Sequence, residues 1–113
     1  MDDVRRLCLS LPRTTEHLVR DRVKFRVKQL VYVSFSRDET LMGFGFPREQ
    51  RAALVESEPE KFRMPPASDL RYQWVVAVLA ALDEAEMTEL VTDAWTMVVP
   101  QYVAREHLEG QAE

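Results

Sequence analysis

From Val23 to Val27 the chain alternates strictly, with Val23, Phe25 and Val27 apolar and Lys24 and Arg26 charged. Such a period of two is the signature of a strand that buries one face. Leu30 to Ser36, rich in β-branched and aromatic residues, reads as its hairpin partner, and Arg37-Asp38-Glu39 turns the chain into a third strand, Thr40 to Phe46. The turn around Lys28-Gln29-Leu30 holds either two or three residues, and a one-residue difference reverses which side of the second strand is buried. Gly43 and Gly45 interrupt the third strand and predict a bulge or a close approach by another backbone. Upstream of this meander, Val4, Leu7, Cys8 and Leu11 recur at helical spacing, with Asp2 or Asp3 available as a cap, Pro12 as a stop, and Arg13-Thr14-Thr15-Glu16 as a polar turn.

Downstream, Pro47 suits the first turn of a helix, Glu49 complements its dipole, and Glu58-Pro59 breaks it after about Ser57. Phe62 to Met64 predicts a short strand and Pro65 to Asp69 a stiff exposed loop. In the next strand, Tyr72 to Leu79, the run from Trp74 is apolar on both faces, as in a central strand covered on both sides or lying at an interface. Asp83 and Glu86 have capping-box spacing, after which Met87, Leu90, Val91, Ala94, Met97 and Val98 share one helical face. Pro100 kinks or ends that helix, Tyr102 to Leu108 adds another turn or two, and Gly110 onward frays. The pattern predicts one α+β domain over residues 1–113, ordered from about 3 to 106 with a frayed tail at 107–113. Its expected architecture is a single antiparallel sheet of about five strands with helices mainly on one face, in the order α-β-β-β-α-β-β-α.

A chain of 113 residues is long enough for one core, and no apolar run approaches the length of a membrane span. The N-terminus lacks the features of a secretory signal, so the expected compartment is the cytoplasm. Charge is uneven: residues 1–71 carry 14 basic and 11 acidic side chains, residues 72–113 carry 1 and 8, and the halves are +3 and −7 within a total of −4. A globally acidic chain is a poor non-specific partner for nucleic acid, but a local basic face escapes that restriction.

Arg20, Arg22, Lys24, Arg26 and Lys28 fall at every second position around and along one strand, which places them on one face. An open face of this kind holds phosphates; its plain alternative is a solvated sheet face. Were a helix to cover it, Lys24 and Arg26 would need acidic partners. Tyr72 and Trp74, with Arg63 and Arg71 close in sequence, have the composition of a base-stacking platform, although aromatics of a central strand are more often core. Arg48 and Arg51 extend the basic patch or else solvate a helix. The candidate nucleic-acid contacts are therefore Arg22, Lys24, Arg26, Arg48, Arg51 and Trp74.

No catalytic group, metal site or cofactor is predicted. Cys8 lies on an apolar helix face, His17 in a turn and His107 in the tail, and Glu86, Glu89 and Asp93 read as the solvated side of the last helix. Phosphate-cradling and nucleophile motifs are absent, and a non-enzymatic domain is expected.

Leu9-Ser10-Leu11-Pro12, Phe25-Arg26-Val27 followed by Leu30-Val31-Tyr32-Val33, and Arg51 leading into Pro59-Glu60-Lys61-Phe62 come in a distinctive order. They are followed by Tyr72-Gln73-Trp74-Val75-Val76, Leu82-Asp83 and Glu89-Leu90-Val91-Thr92-Asp93-Ala94-Trp95. In this order and spacing, over about residues 3 to 106, the chain resembles the MmcQ/YjbR-like family of small bacterial domains. Lys28-Gln29 stands where many members carry Gly in the hairpin turn, and Gln73 where many carry His. The resemblance implies a fold similar to type III secretion chaperones and a DNA-binding label; it brings no catalytic residues. Two partner classes are thus expected: DNA on the basic face, or a protein, including a second copy, at a sheet edge or on the apolar strand. An enzyme acting on a small anion held by Arg26, Arg48 or Arg51 is the third reading.

Overall fold

The computed structural model describes residues 1–112. Helix α1 (Asp2–Ser10) leads into strands β1 (Thr14–Val19), β2 (Arg22–Val27), β3 (Leu30–Phe35) and β4 (Leu41–Gly45). Helix α2 (Arg48–Ser57), strands β5 (Phe62–Arg63) and β6 (Trp74–Val78), and helices α3 (Glu84–Thr96) and α4 (Gln101–Ala112) complete the chain. All strands pair antiparallel in one six-stranded sheet of order β1-β2-β3-β4-β6-β5.

The strand beyond the expected meander is β1, formed from the segment read as a polar turn. It joins β2 through a two-residue turn in which Arg20 and Asp21 both have positive φ, 52° and 65°. Paired left-handed residues define the type I′ hairpin, whose twist matches that of the strands it joins. Lys28-Gln29 is also a two-residue turn, closing the pair Val27↔Leu30, with Lys28 at φ 54°. Two residues later the register shifts. Arg26 faces Val31 while Phe25 faces Val33, so Tyr32 is a bulge residue. The bulge lets Tyr32 and Val33 both be buried. The ladder from β3 through β4 to β6 runs without a shift, so Gly43 and Gly45 mark close approaches and no bulge.

One sheet face carries the core. Phe25, Val33, Phe44 and Val75 form a cross-strand row, all fully buried, each contributing about 1.5–3 kcal/mol by burial. Against it pack Val4 and Cys8 of α1, Met87, Val91, Ala94 and Trp95 of α3, and Val103 and Ala104 of α4. Trp95 donates Nε1–H to the Pro12 carbonyl at 2.9 Å, tying α3 to the end of α1. Asp83 accepts from the Glu86 amide at 2.7 Å, as its spacing predicts, but the Glu86 carboxylate turns away to Lys61 at 3.1 Å. Asp2 and Asp3 lie inside the first turn of α1, where they pair with Arg5 and Arg6, and neither is the cap.

At the C-terminus α4 is longer than the turn or two expected, and a helix stands where a tail frayed from residue 107 was predicted. The His107 ring lies edge-on to buried Trp95 at 5.2 Å between centroids. Glu113 lies outside the described residues.

Candidate nucleic-acid interface

Alternation fixes what the other sheet face presents. The pairs His17↔Lys24, Lys24↔Ser34, Ser34↔Gly43, Gly43↔Val76 and Val76↔Arg63 make one continuous row across all six strands. The buried helical side chains of the core serve the opposite face. Here the chain leaves a groove of about 790 Å³, floored by Ser34, Gly43 and Val76, with Arg22 and Lys24 at one side and Asp69, Tyr72 and Trp74 at the other. The apolar strand β6 is thus covered on one face only: Val75 and Ala77 are buried, while Trp74 and Val76 are half-buried in the groove.

The two signals that are far apart in sequence meet here. Arg22 is exposed and Lys24 half-buried, and neither has an acidic partner within ion-pair distance among the described residues. Trp74 lies across Gly43. A Cβ placed on Gly43 would stand 2.5 Å from the indole Nε1 and 2.9 Å from both Cε2 and Cζ2. Those three atoms are consecutive along the nitrogen-bearing edge of the indole, so that edge rests against the β4 backbone at Gly43 while the ring lines the groove. Gly45 instead makes room for α3, its virtual Cβ 3.6 Å from the Ala94 Cβ.

Arg26 has a different role from its two neighbours. Its Nη2 donates to His17 Nδ1 at 3.2 Å, and His17 Nε2 lies 2.9 Å from Thr15 Oγ1. Accepting at Nδ1 places the proton of the neutral ring on Nε2, which then donates to Thr15. The Arg26 Nε is buried without a partner. No described helix covers this face, and the partner of Arg26 is an imidazole on β1, a strand missing from the expected meander.

Arg51 is not on the open face at all. It is 6% exposed, and its guanidinium donates to three backbone carbonyls, Tyr72 at 2.9 Å, Trp74 at 3.2 Å and Leu70. Arg48, one helical turn earlier, donates to the Arg71 carbonyl at 2.8 Å. Both arginines of α2 therefore hold the segment that walls the groove, and Arg51 is removed from the candidate contacts. Nothing in sequence spacing reveals such partners, because they are main-chain oxygens of a loop about twenty residues away. Tyr72, at the rim, stacks on the Arg71 guanidinium at 4.9 Å. Asp69 and Gln73, which line the same wall, were not among the candidates.

Elsewhere the charge is reversed. The outer side of α3 presents Asp83, Glu84, Glu89 and Asp93 around a shallow depression, where burial and the neighbouring Glu89 raise the Asp93 carboxyl above its ordinary range. Among the described residues no group of three or more His, Cys, Asp and Glu could hold a metal ion. Cys8 is buried, and desolvation pushes its thiol up to about 12 despite its hydrogen bond with Tyr32. Burial also raises the Tyr32 phenol, whose oxygen lies 2.8 Å from Thr14 Oγ1. No described helix is long and apolar enough to cross a membrane.

Comparison with known proteins places this architecture. The YjbR family model matches residues 9–97. The crystal structure of Deinococcus radiodurans protein DR2400, with a DUF419 domain, superimposes with a TM-score of 0.74 at 17% identity, covering 93% of this chain and 85% of that one. At that identity the likeness is one of fold. No curated protein matches the chain.

Proposed function

The chain belongs to the YjbR family, and from that premise we propose that it is a binding domain whose uncovered sheet face takes nucleic acid. The observation that carries this reading is one juxtaposition: Arg22 and Lys24, without acidic partners among the described residues, share a groove with the indole of Trp74, whose nitrogen edge rests on Gly43. Unpaired cations on an open surface attract phosphate and release its counterions. A flat aromatic beside them offers a base a stacking surface. A fold by itself fixes no activity, and a secretion-chaperone role rests on fold likeness alone.

Arg22 and Lys24 contact phosphate directly, and Arg26, held by His17, adds field from the next row. Arg48 and Arg51 shape the wall. The test is fluorescence anisotropy of labelled DNA at low and physiological salt. Binding that weakens steeply with salt and disappears in the Arg22→Glu/Lys24→Glu protein supports the reading. Binding untouched by that double substitution overturns it.

A further inference from the structure

The cross-strand row through Gly43 carries more than a preference for negative charge. Lys24, next to His17 at one end, and Arg63 at the other are its two cations, with Ser34, Gly43 and Val76 between them. Four strand spacings separate them, roughly 19 Å. The Trp74 indole sets its nitrogen edge against Gly43, midway along this row, and lines the groove there. Resting on the nucleic-acid reading above, we infer that the occupant is a single strand of nucleic acid laid across the β-strands, with phosphates at Lys24 and Arg63 and one unpaired base on Trp74.

Three features favour a strand over other anionic ligands. Cations on both sides of an aromatic platform match a polymer whose charges flank every base; a lone nucleotide has its phosphate on one side only. The spacing between the cations covers several nucleotides of an extended chain. Asp69, in the wall beside Trp74, places a carboxylate where a phosphate is repelled and where the exocyclic amine of a base donates a hydrogen bond.

Duplex DNA does not suit the same surface. Its base faces are stacked on one another and closed to an indole. Its grooves admit a protruding helix or ribbon, whereas Trp74 is recessed in a groove floored by strands and walled by the segment before β6. Bases freed from pairing have an open π-face, and stacking of one base on an aromatic tolerates any sequence.

The experiment compares single-stranded and duplex oligonucleotides of equal length by anisotropy at one low salt concentration, with a free 5′-mononucleotide as competitor. The single strand is expected to bind at least about tenfold tighter than the duplex, and Trp74→Ala to weaken it about tenfold, within the range of one base stack. Trp74→Phe, which keeps a flat ring, is expected to retain most of the affinity and so separates stacking from misfolding. Arg63→Glu is expected to flatten the salt dependence of single-strand binding. Equal or tighter binding of duplex, or indifference to both Trp74 substitutions, overturns the single strand while leaving the nucleic-acid reading in place if Arg22→Glu/Lys24→Glu still abolishes binding. Competition by the mononucleotide at the same molar concentration as the unlabelled strand overturns it in favour of a small ligand. Absence of binding by every nucleic acid at low salt removes both readings together.

Discussion

Gly43 and Trp74 are in contact in a way no other residue at position 43 permits, because even a methyl group there would meet the indole nitrogen at 2.5 Å. The obstacle is space, since Gly43 does not have positive φ. Gly43→Ala is therefore expected to lift the ring from the sheet. We expect a stability loss of about 1–3 kcal/mol, as for overpacking elsewhere, with altered tryptophan emission. Denaturant unfolding followed by fluorescence measures both, and an unchanged midpoint and spectrum would contradict the close contact between Gly43 and the indole edge.

Arg51 is a buried cation compensated by carbonyl dipoles in place of an acid. Arg51→Met removes the donor to three carbonyls, and leaving one buried polar group unsatisfied costs about 1–3 kcal/mol. We expect the global stability to fall on the order of 3 kcal/mol and hydrogen exchange to quicken first around residues 70–74. Arg51→Lys is expected to restore only part of this, since an ammonium lacks the planar fork that reaches all three oxygens. Uniform loss of protection across the sheet would argue against a local clamp.

Arg22 and Lys24 contrast with Arg51 because no ion pair among the described residues depends on them. Reversing both charges is expected to leave the unfolding free energy within about 0.5 kcal/mol of the parent, the usual range for surface changes. A much larger loss would mean that these side chains support the fold.

Cys8 supplies a pH dependence whose sign follows from its burial. The folded thiol titrates at about 12 against 9.0 for the free group, so between those values the unfolded chain gives up a proton that the folded one keeps. Stability is fully present below pH 9 and declines above it, by about 1.4 kcal/mol per pH unit while the two states differ by one proton. Denaturation midpoints from neutral to alkaline pH measure the decline, and Cys8→Ala is expected to make it shallower. The native thiol is likewise expected to resist alkylation until the chain unfolds.

Much of the fold was legible along the chain. Alternation placed Phe25 and Val27 on the core face, and the Asp83 cap opened α3 as its spacing predicted. Strand β1 escaped because Thr14–Val19 has its apolar residues bunched at the end, and because its turn uses Arg20 and Asp21 in conformations usually signalled by Gly or Asn. Of the two alternatives for the β2–β3 turn, the two-residue one holds. The turn has two residues, and the Tyr32 bulge then supplies the extra one.

The site was legible as fragments. Arg22 and Lys24 follow from period two and Trp74 from composition, but that they share a groove depends on the order β2-β3-β4-β6, which no local pattern encodes. The same long-range placement separated Arg48 and Arg51 from the basic strand and made them supports for the loop.

The division of charge between the two sides of the sheet bears on how a polyanion arrives. Field lines from the acidic outer side of α3 are screened within a Debye length, about 10 Å at 0.1 M salt, while that helix lies on the far side of the sheet from the groove. At low ionic strength an approaching strand is repelled by a net charge of −4 before it senses the basic face. Added salt first weakens that repulsion and later weakens the contacts themselves. Association rates are then expected to pass through a maximum with ionic strength, whereas a uniformly basic binder slows monotonically.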